Sequence, residues 1–97
     1  MRQLVRTYTI TGQHEITITG ASFTKEDVRL IINETLAITD KKASILVSST
    51  AKNNIVSVVS GVITLANTTA ALTVGDELTI EIDIDNIAKE SNATTNK

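Results

Sequence analysis

The strict alternation of side chains over residues 77–85 is the feature that most constrains the fold of this chain. Polar or acidic residues there alternate with large aliphatic ones, which are Leu78, Ile80, Ile82 and Ile84. Successive side chains of a β-strand point to opposite faces, so this period of two predicts a strand with one buried face and one face toward water or a polar partner.

The composition extends this prediction to the whole chain. Thr, Ile and Val make up 37 of the 97 residues, and these β-branched side chains suit a pleated sheet better than a helix. A chain of this length has room for one core. We therefore predict an all-β, small antiparallel β-sandwich (Ig-like or jelly-roll-like) of about seven short strands. A single domain would span residues 1–87, followed by a polar, disordered tail over residues 88–97. A helical protein of unusual composition is the less favoured alternative.

Two hairpins stand out. Residues 4–11 alternate as one strand, and the link around Gly12 leads to a second alternating segment over residues 14–19. Further along, Ser60 and Gly61 separate two apolar runs by the two-residue spacing of a tight hairpin. Additional strands are predicted around residues 45–47 and 55–59.

Residues 20–38 allow two interpretations. Thr24 could cap a helix with an apolar stripe that includes Val28 and Leu36. The run over residues 28–33 also reads as a strand, and its adjacent isoleucines weaken a helix. We favour a turn over residues 23–27 followed by this strand.

Three of the predicted strands carry apolar side chains on both faces, around Ile31, Leu46 and residues 56–59. A sandwich this small has one inner layer, so a loop or another subunit must cover the second face. We favour a subunit contact, with the interface formed by Ile31, Leu46, Val56 and Val58.

The sequence contains little material for catalysis. His14 is the only histidine, no Gly-x-Ser-x-Gly arrangement accompanies it, and we expect it to be exposed at a hairpin turn. Asp76, Glu77, Glu81, Asp83 and Asp85 could be imagined as a cation site or a glycosidase acid pair. Alternate residues on one strand project about 7 Å apart, too far for three of them to hold one ion unaided. We therefore expect no enzyme, metal or cofactor, and an acidic stripe that faces water or a partner.

Other classes of partner are also disfavoured. Tyr8 and Phe23 are the only aromatic residues, and we expect them to pack in the core or at an edge rather than to stack on sugars or bases. The net charge is −2, with +2 over residues 1–52 and −4 over residues 53–97, which argues against nucleic-acid binding. The sequence contains neither cysteine nor an apolar run long enough to span a membrane, so we expect neither a disulfide nor a membrane partner. Residues 1–6 lack the long apolar segment of a secretory signal, and we do not expect secretion.

Two segments carry a resemblance to a known group of proteins. Residues 23–35, Phe-Thr-Lys-Glu-Asp-Val-Arg-Leu-Ile-Ile-Asn-Glu-Thr, and residues 74–83, Val-Gly-Asp-Glu-Leu-Thr-Ile-Glu-Ile-Asp, resemble short structural proteins of tailed phages, including the crAss-like phages of gut Bacteroidales. The two segments span about a quarter of the chain. The resemblance implies a small β-sandwich that decorates capsids or attaches head fibres, and hence oligomerisation and docking onto a protein shell. We expect no distal domain of the kind found in larger fibre proteins, and therefore no receptor binding by this chain.

The leading hypothesis is thus a structural protein of the virion, assembled in the bacterial cytoplasm. Its expected partners are copies of itself, as a dimer or trimer, and other virion proteins. The alternative is a bacterial adhesin or carbohydrate-binding module, which the scarcity of aromatic residues disfavours.

Overall fold

The computed structural model of the chain describes residues 2–83, which form two antiparallel four-stranded sheets. The strand order is β1-β8-β4-β5 in the first sheet and β2-β3-β7-β6 in the second. The strands are β1 (Arg2–Val5), β2 (Thr9–Gly12), β3 (Glu15–Thr17), β4 (Val28–Asn33), β5 (Ile45–Val47), β6 (Ile55–Val59), β7 (Val62–Leu65) and β8 (Leu78–Asp83). The predicted all-β antiparallel sandwich is confirmed. The predicted domain boundary and the polar tail lie outside the described residues.

The number of strands differs from the prediction because residues 4–11 form two strands rather than one. The chain leaves the first sheet after β1 and enters the second sheet at β2. Tyr8 lies at this crossing, where its hydroxyl accepts a hydrogen bond from the Leu78 backbone N–H at 2.8 Å and its ring packs against the core. This contact anchors the crossing segment to the start of β8.

The core lies between the two sheets and is almost entirely aliphatic. β8 contributes Ile80 and Ile82 to it, and β3 and β7 contribute Ile16 and Ile63 from the other layer; all four side chains are 0 % exposed. The alternation over residues 78–83 is therefore present in the structure, with the aliphatic side chains buried and the polar ones half-buried on the opposite face.

Residues 20–38 form the turn and strand that the sequence favours. A 3-10 turn, Lys25–Asp27, begins at Thr24, whose backbone N–H donates to the Asp27 carboxylate at 2.9 Å, and β4 follows directly. β4 pairs with both β5 and β8, which explains why a strand is preferred over a helix here. Two single-turn helices follow, Glu34–Ala37 and Lys41–Ser44. No helix within residues 2–83 is long and apolar enough to cross a membrane.

The end of β4 is fixed by a buried amide. Asn33 is 1 % exposed; its Nδ2 donates to Asp76 at 2.9 Å, and its Oδ1 accepts from the Leu36 backbone N–H at 3.2 Å. The Asp76 carboxylate also accepts from the Thr73 N–H at 2.9 Å, so one network joins the first short helix to the loop before β8.

Asn33→Ala is expected to lower the free energy of unfolding by about 1–3 kcal/mol, because it leaves buried polar groups without partners. Urea unfolding followed by far-UV circular dichroism measures this loss. Asn53→Ala, at an exposed asparagine, is the control and should change stability by less than about 0.5 kcal/mol. Equal stabilities of the two variants would contradict the role assigned to Asn33.

Candidate interaction surfaces

The structure separates the four residues predicted to form an interface. Ile31 and Leu46 are 0 % and 1 % exposed and belong to the core, so their predicted position on an open second face is corrected. A β-bulge explains the error at Leu46: Ile31 pairs with Val47 and Ile32 pairs with Ile45, which leaves Leu46 as the extra residue. The bulge breaks the alternation and turns both Leu46 and Val47 inward.

The two valines are placed differently. Val56 is 56 % exposed at a bulge in β6, whereas Val58 is half-buried and packs against the core. Their contact with a partner remains a prediction.

An apolar surface does lie on the outer side of the first sheet. Directly paired residues share a face, so Leu4, Glu81 and Leu30 form one row across β1, β8 and β4. Thr79, Ile32 and Ile45 form the next row across β8, β4 and β5. We call the aliphatic members of these rows the outer patch: Leu4, Leu30, Ile32 and Ile45.

The exposure of the outer patch shows that the described residues leave it uncovered. Leu4 is 47 % and Ile45 42 % exposed at the two sides of the sheet, and Leu30 and Ile32 are half-buried between them. The sequence predicts apolar side chains on both faces of β4 and β5, but Ile31 and Leu46 were the wrong choice for the outer side, where Leu30, Ile32 and Ile45 lie.

Polar groups lie both within and beside the outer patch. Glu81 of β8 separates Leu4 from Leu30, and Thr79 of β8 lies next to Ile32. Arg29 donates to the Asp83 carboxylate from Nη2 at 2.6 Å and from Nε at 3.2 Å, and the Thr79 hydroxyl donates to Glu34 at 2.6 Å. The arginine and aspartate side chains are 43 % and 30 % exposed, so this ion pair adds little to stability. The outer patch is therefore a mixed apolar and polar surface, in which β8 separates Leu4 from the aliphatic side chains of β4 and β5.

A second surface is formed by the β6–β7 hairpin and the loop that follows it. Residues 53–75 form a run of 23 positions without a charged side chain or histidine. Val56, Val59 and Val74 within this run are 56 %, 64 % and 83 % exposed. Depletion of charge marks the centre of protein interfaces. The uncharged run is the sequence signal from which this surface could have been predicted.

The structure places the candidate chemical groups as follows. His14 is half-buried, not exposed as expected, and its Nε2 lies 3.0 Å from the Thr69 carbonyl oxygen, which ties the β2–β3 hairpin to the loop before β8. Within residues 2–83, no three His, Asp or Glu side chains come together as a group that could hold a metal ion. Of the five predicted acidic residues, Glu81 and Asp83 lie on the outer face of β8, and Asp76 and Glu77 lie in the loop before it, where Asp76 binds Asn33 and Thr73. Asp85 lies outside the described part.

The two aromatic rings also serve the fold. Tyr8 and Phe23 both pack against the core as partly buried side chains, as expected.

Comparison of the chain with protein-family models, with curated proteins and with solved structures gave no significant match.

Proposed function

We propose that this chain is a non-catalytic structural protein of a tailed-phage virion, a capsid decoration or head-fibre module that self-associates and docks onto a protein shell. The outer patch is the observation that carries the proposal. Its aliphatic side chains remain accessible although the core of the described domain is already closed by other residues.

The free energy available from covering the outer patch suits binding to a shell that presents many identical sites. Complete burial of a fully exposed Leu or Ile contributes about 1.5–3 kcal/mol. Leu4 and Ile45 are a little under half exposed, and Leu30 and Ile32 are less exposed than that. Covering all four would therefore contribute about 2–5 kcal/mol, which is comparable to the lower estimates of the cost of association. A single contact of this kind is weak. A shell offers many identical sites, so linked copies can gain avidity without a larger patch on each copy.

The segments that resemble phage proteins support the same surface. Residues 23–35 contain β4, and residues 74–83 contain β8. These two strands pair with each other in the middle of the first sheet, and β4 supplies Leu30 and Ile32 to the outer patch. The resemblance and the exposed apolar face thus involve the same part of the molecule. The alternative of a sugar-binding module gains no support, since the rings of Tyr8 and Phe23 are partly buried against the core and do not form an exposed stacking surface.

The proposal is tested by co-expressing the chain with the capsid proteins encoded beside its gene and measuring its co-sedimentation with assembled shells. Leu4→Lys combined with Ile45→Lys should reduce the bound amount at least about 10-fold, because each substitution places a charge in the apolar contact. Thr9→Lys, an exposed position in β2 of the other sheet, is the control and should leave binding unchanged.

Three results would contradict the proposal: no co-sedimentation of the unmodified chain, equal binding by the double variant, or a gene without capsid, portal or tail genes around it. Thermal unfolding of each variant confirms that the domain is intact.

A further inference from the structure

We propose that two copies of this chain associate through β6, whose free edge pairs antiparallel with β6 of a second copy and joins their second sheets into one eight-stranded sheet. This inference builds on the self-association included in the proposed function and specifies its surface. It follows from the backbone of β6, its surroundings and its lack of charge.

The hydrogen-bonding pattern of the neighbouring strand shows which backbone groups of β6 are free. The Gly61 carbonyl accepts from Ile18 at 2.8 Å, and the Leu65 N–H donates to His14 at 2.8 Å. These alternate residues therefore direct their backbone groups toward β3 and away from β6. Val62 and Thr64, between them, direct theirs toward β6.

The partners within β6 follow from the register. Val59 pairs with Val62, and Ser57 pairs with Thr64. The backbone N–H and C=O groups of these two β6 residues are therefore hydrogen-bonded to β7. Val58 lies between them and directs its N–H and C=O away from β7, toward the free edge. Ser60 and Gly61 have φ values of 51° and 80°, which match the type I′ turn that sets this register.

Little of the described chain covers this edge. β6 is the last strand in the order of its sheet, and the 3-10 turn Lys25–Asp27 lies beside it. That turn meets the beginning of the strand, where Lys25 and Glu26 share a shallow groove with Ile55. Within residues 2–83, no backbone hydrogen bond from an element other than β7 reaches residues 57–59.

β6 also lacks the charged residues and proline that commonly keep edge strands from pairing. Edges of monomeric proteins commonly carry charged residues or proline, or are very short. β1 carries Arg2, β5 has three residues, and β2 ends in a bulge at Gly12. β6 has a bulge near its start but no charge, and it continues as a regular ladder over residues 57–59.

A second copy fits this edge because the arrangement is self-complementary. Antiparallel pairing about a two-fold axis places Val58 opposite Val58 of the second copy, so each copy donates one N–H to the other's carbonyl and accepts one in return. Val59 then faces Ser57 of the second copy on the outer side. No like charges meet, since β6 has no charged side chain. The short ladder indicates a weak dimer that forms at high concentration.

Sedimentation equilibrium over about 10 µM to 1 mM, the range expected for a weak dimer, tests the pairing. The mass of the unmodified chain should rise from 10.4 kDa toward twice that value. Val59→Lys should hold the mass at that of a monomer, because it brings a lysine of each copy to the new seam. Val74→Lys, at a more exposed valine of the same uncharged run, should associate like the unmodified chain. Val56→Lys is the second edge variant if Val59→Lys does not fold.

Amide hydrogen exchange gives an independent reading. Exchange at Val58 should slow as the concentration of the protein rises, and it should stay fast in Val59→Lys. A mass of 10.4 kDa at all concentrations overturns the inference, as does unchanged association of Val59→Lys. Slow exchange of the Val58 amide in a monomer also overturns the inference, because it would indicate that another segment of the same chain protects the edge of β6.

The two proposals can fail separately. If Val59→Lys associates normally while Leu4→Lys with Ile45→Lys does not, self-association uses the outer patch and the β6 pairing is wrong. If β6 pairs but no shell is bound, the pairing stands and the virion role is wrong.

Discussion

Gly61→Ala is expected to lower the free energy of unfolding by about 3 kcal/mol or more, the larger part of it through a backbone collision. Gly61 is buried at the second position of the β6–β7 turn with φ +80°. A Cβ atom there would overlap the carbonyl oxygen of Ile18. That oxygen belongs to the backbone and cannot rotate away, so the methyl group must displace the chain at Ile18, whose own N–H donates to the Gly61 carbonyl.

Gly20→Ala is the matched control for this prediction. Gly20 has nearly the same φ, +81°, but nothing lies within 4 Å of the position where a Cβ would be added. The control therefore carries the conformational strain alone, about 1–2 kcal/mol. Urea unfolding followed by far-UV circular dichroism compares the two variants. Equal losses of stability would show that the close approach to Ile18 is unimportant.

Ile31→Ala is expected to cost about 3 kcal/mol of stability, within the range of 2–5 kcal/mol measured for such truncations in cores. Ile31 is 0 % exposed and lies in β4 between Ile80 of β8 and Val47 of β5. Truncation removes packed methyl groups in the middle of the first sheet and leaves a cavity. A small domain has about 5–15 kcal/mol of total stability, so this one change should remove a large part of it.

Ile45→Ala is the control, with the same change of side chain at a position that is 42 % exposed on the outer patch. The free energy of unfolding should fall by about 1 kcal/mol or less, because the side chain that is removed is already partly exposed to water in the folded protein. The same pair of variants separates core from interface. If Ile31→Ala kept its stability and lost self-association, the sequence interpretation of Ile31 as a contact residue would be right and its placement in the core would be wrong.

Much of the fold could be predicted because local patterns and tertiary packing agree. The alternation over residues 78–83 is that of a strand with one buried face, and β8 is such a strand. Ser60 and Gly61 supply the positive φ values of a two-residue hairpin turn, and β6 and β7 flank them. In each case the signal lies within a few neighbouring residues.

The errors occur where distant residues decide the outcome. Residues 4–11 alternate like one strand, but the tyrosine at position 8 holds a crossing between sheets through a hydrogen bond 70 residues along the chain. His14 has a polar side chain at a turn, yet it is half-buried because the loop around Thr69 packs beside it. Neither partner can be identified from local sequence.

The sequence by itself determined that this protein is a β-sheet protein with one aliphatic core, because β-branched residues at a period of two can bury their apolar side only in packed sheets. Only the tertiary structure decided which apolar residues remain outside. Cross-strand pairing and bulges select the inward side chains, and a one-residue shift exchanges the two faces of a strand. For that reason Leu46 is in the core while Ile45, its neighbour, belongs to the outer patch.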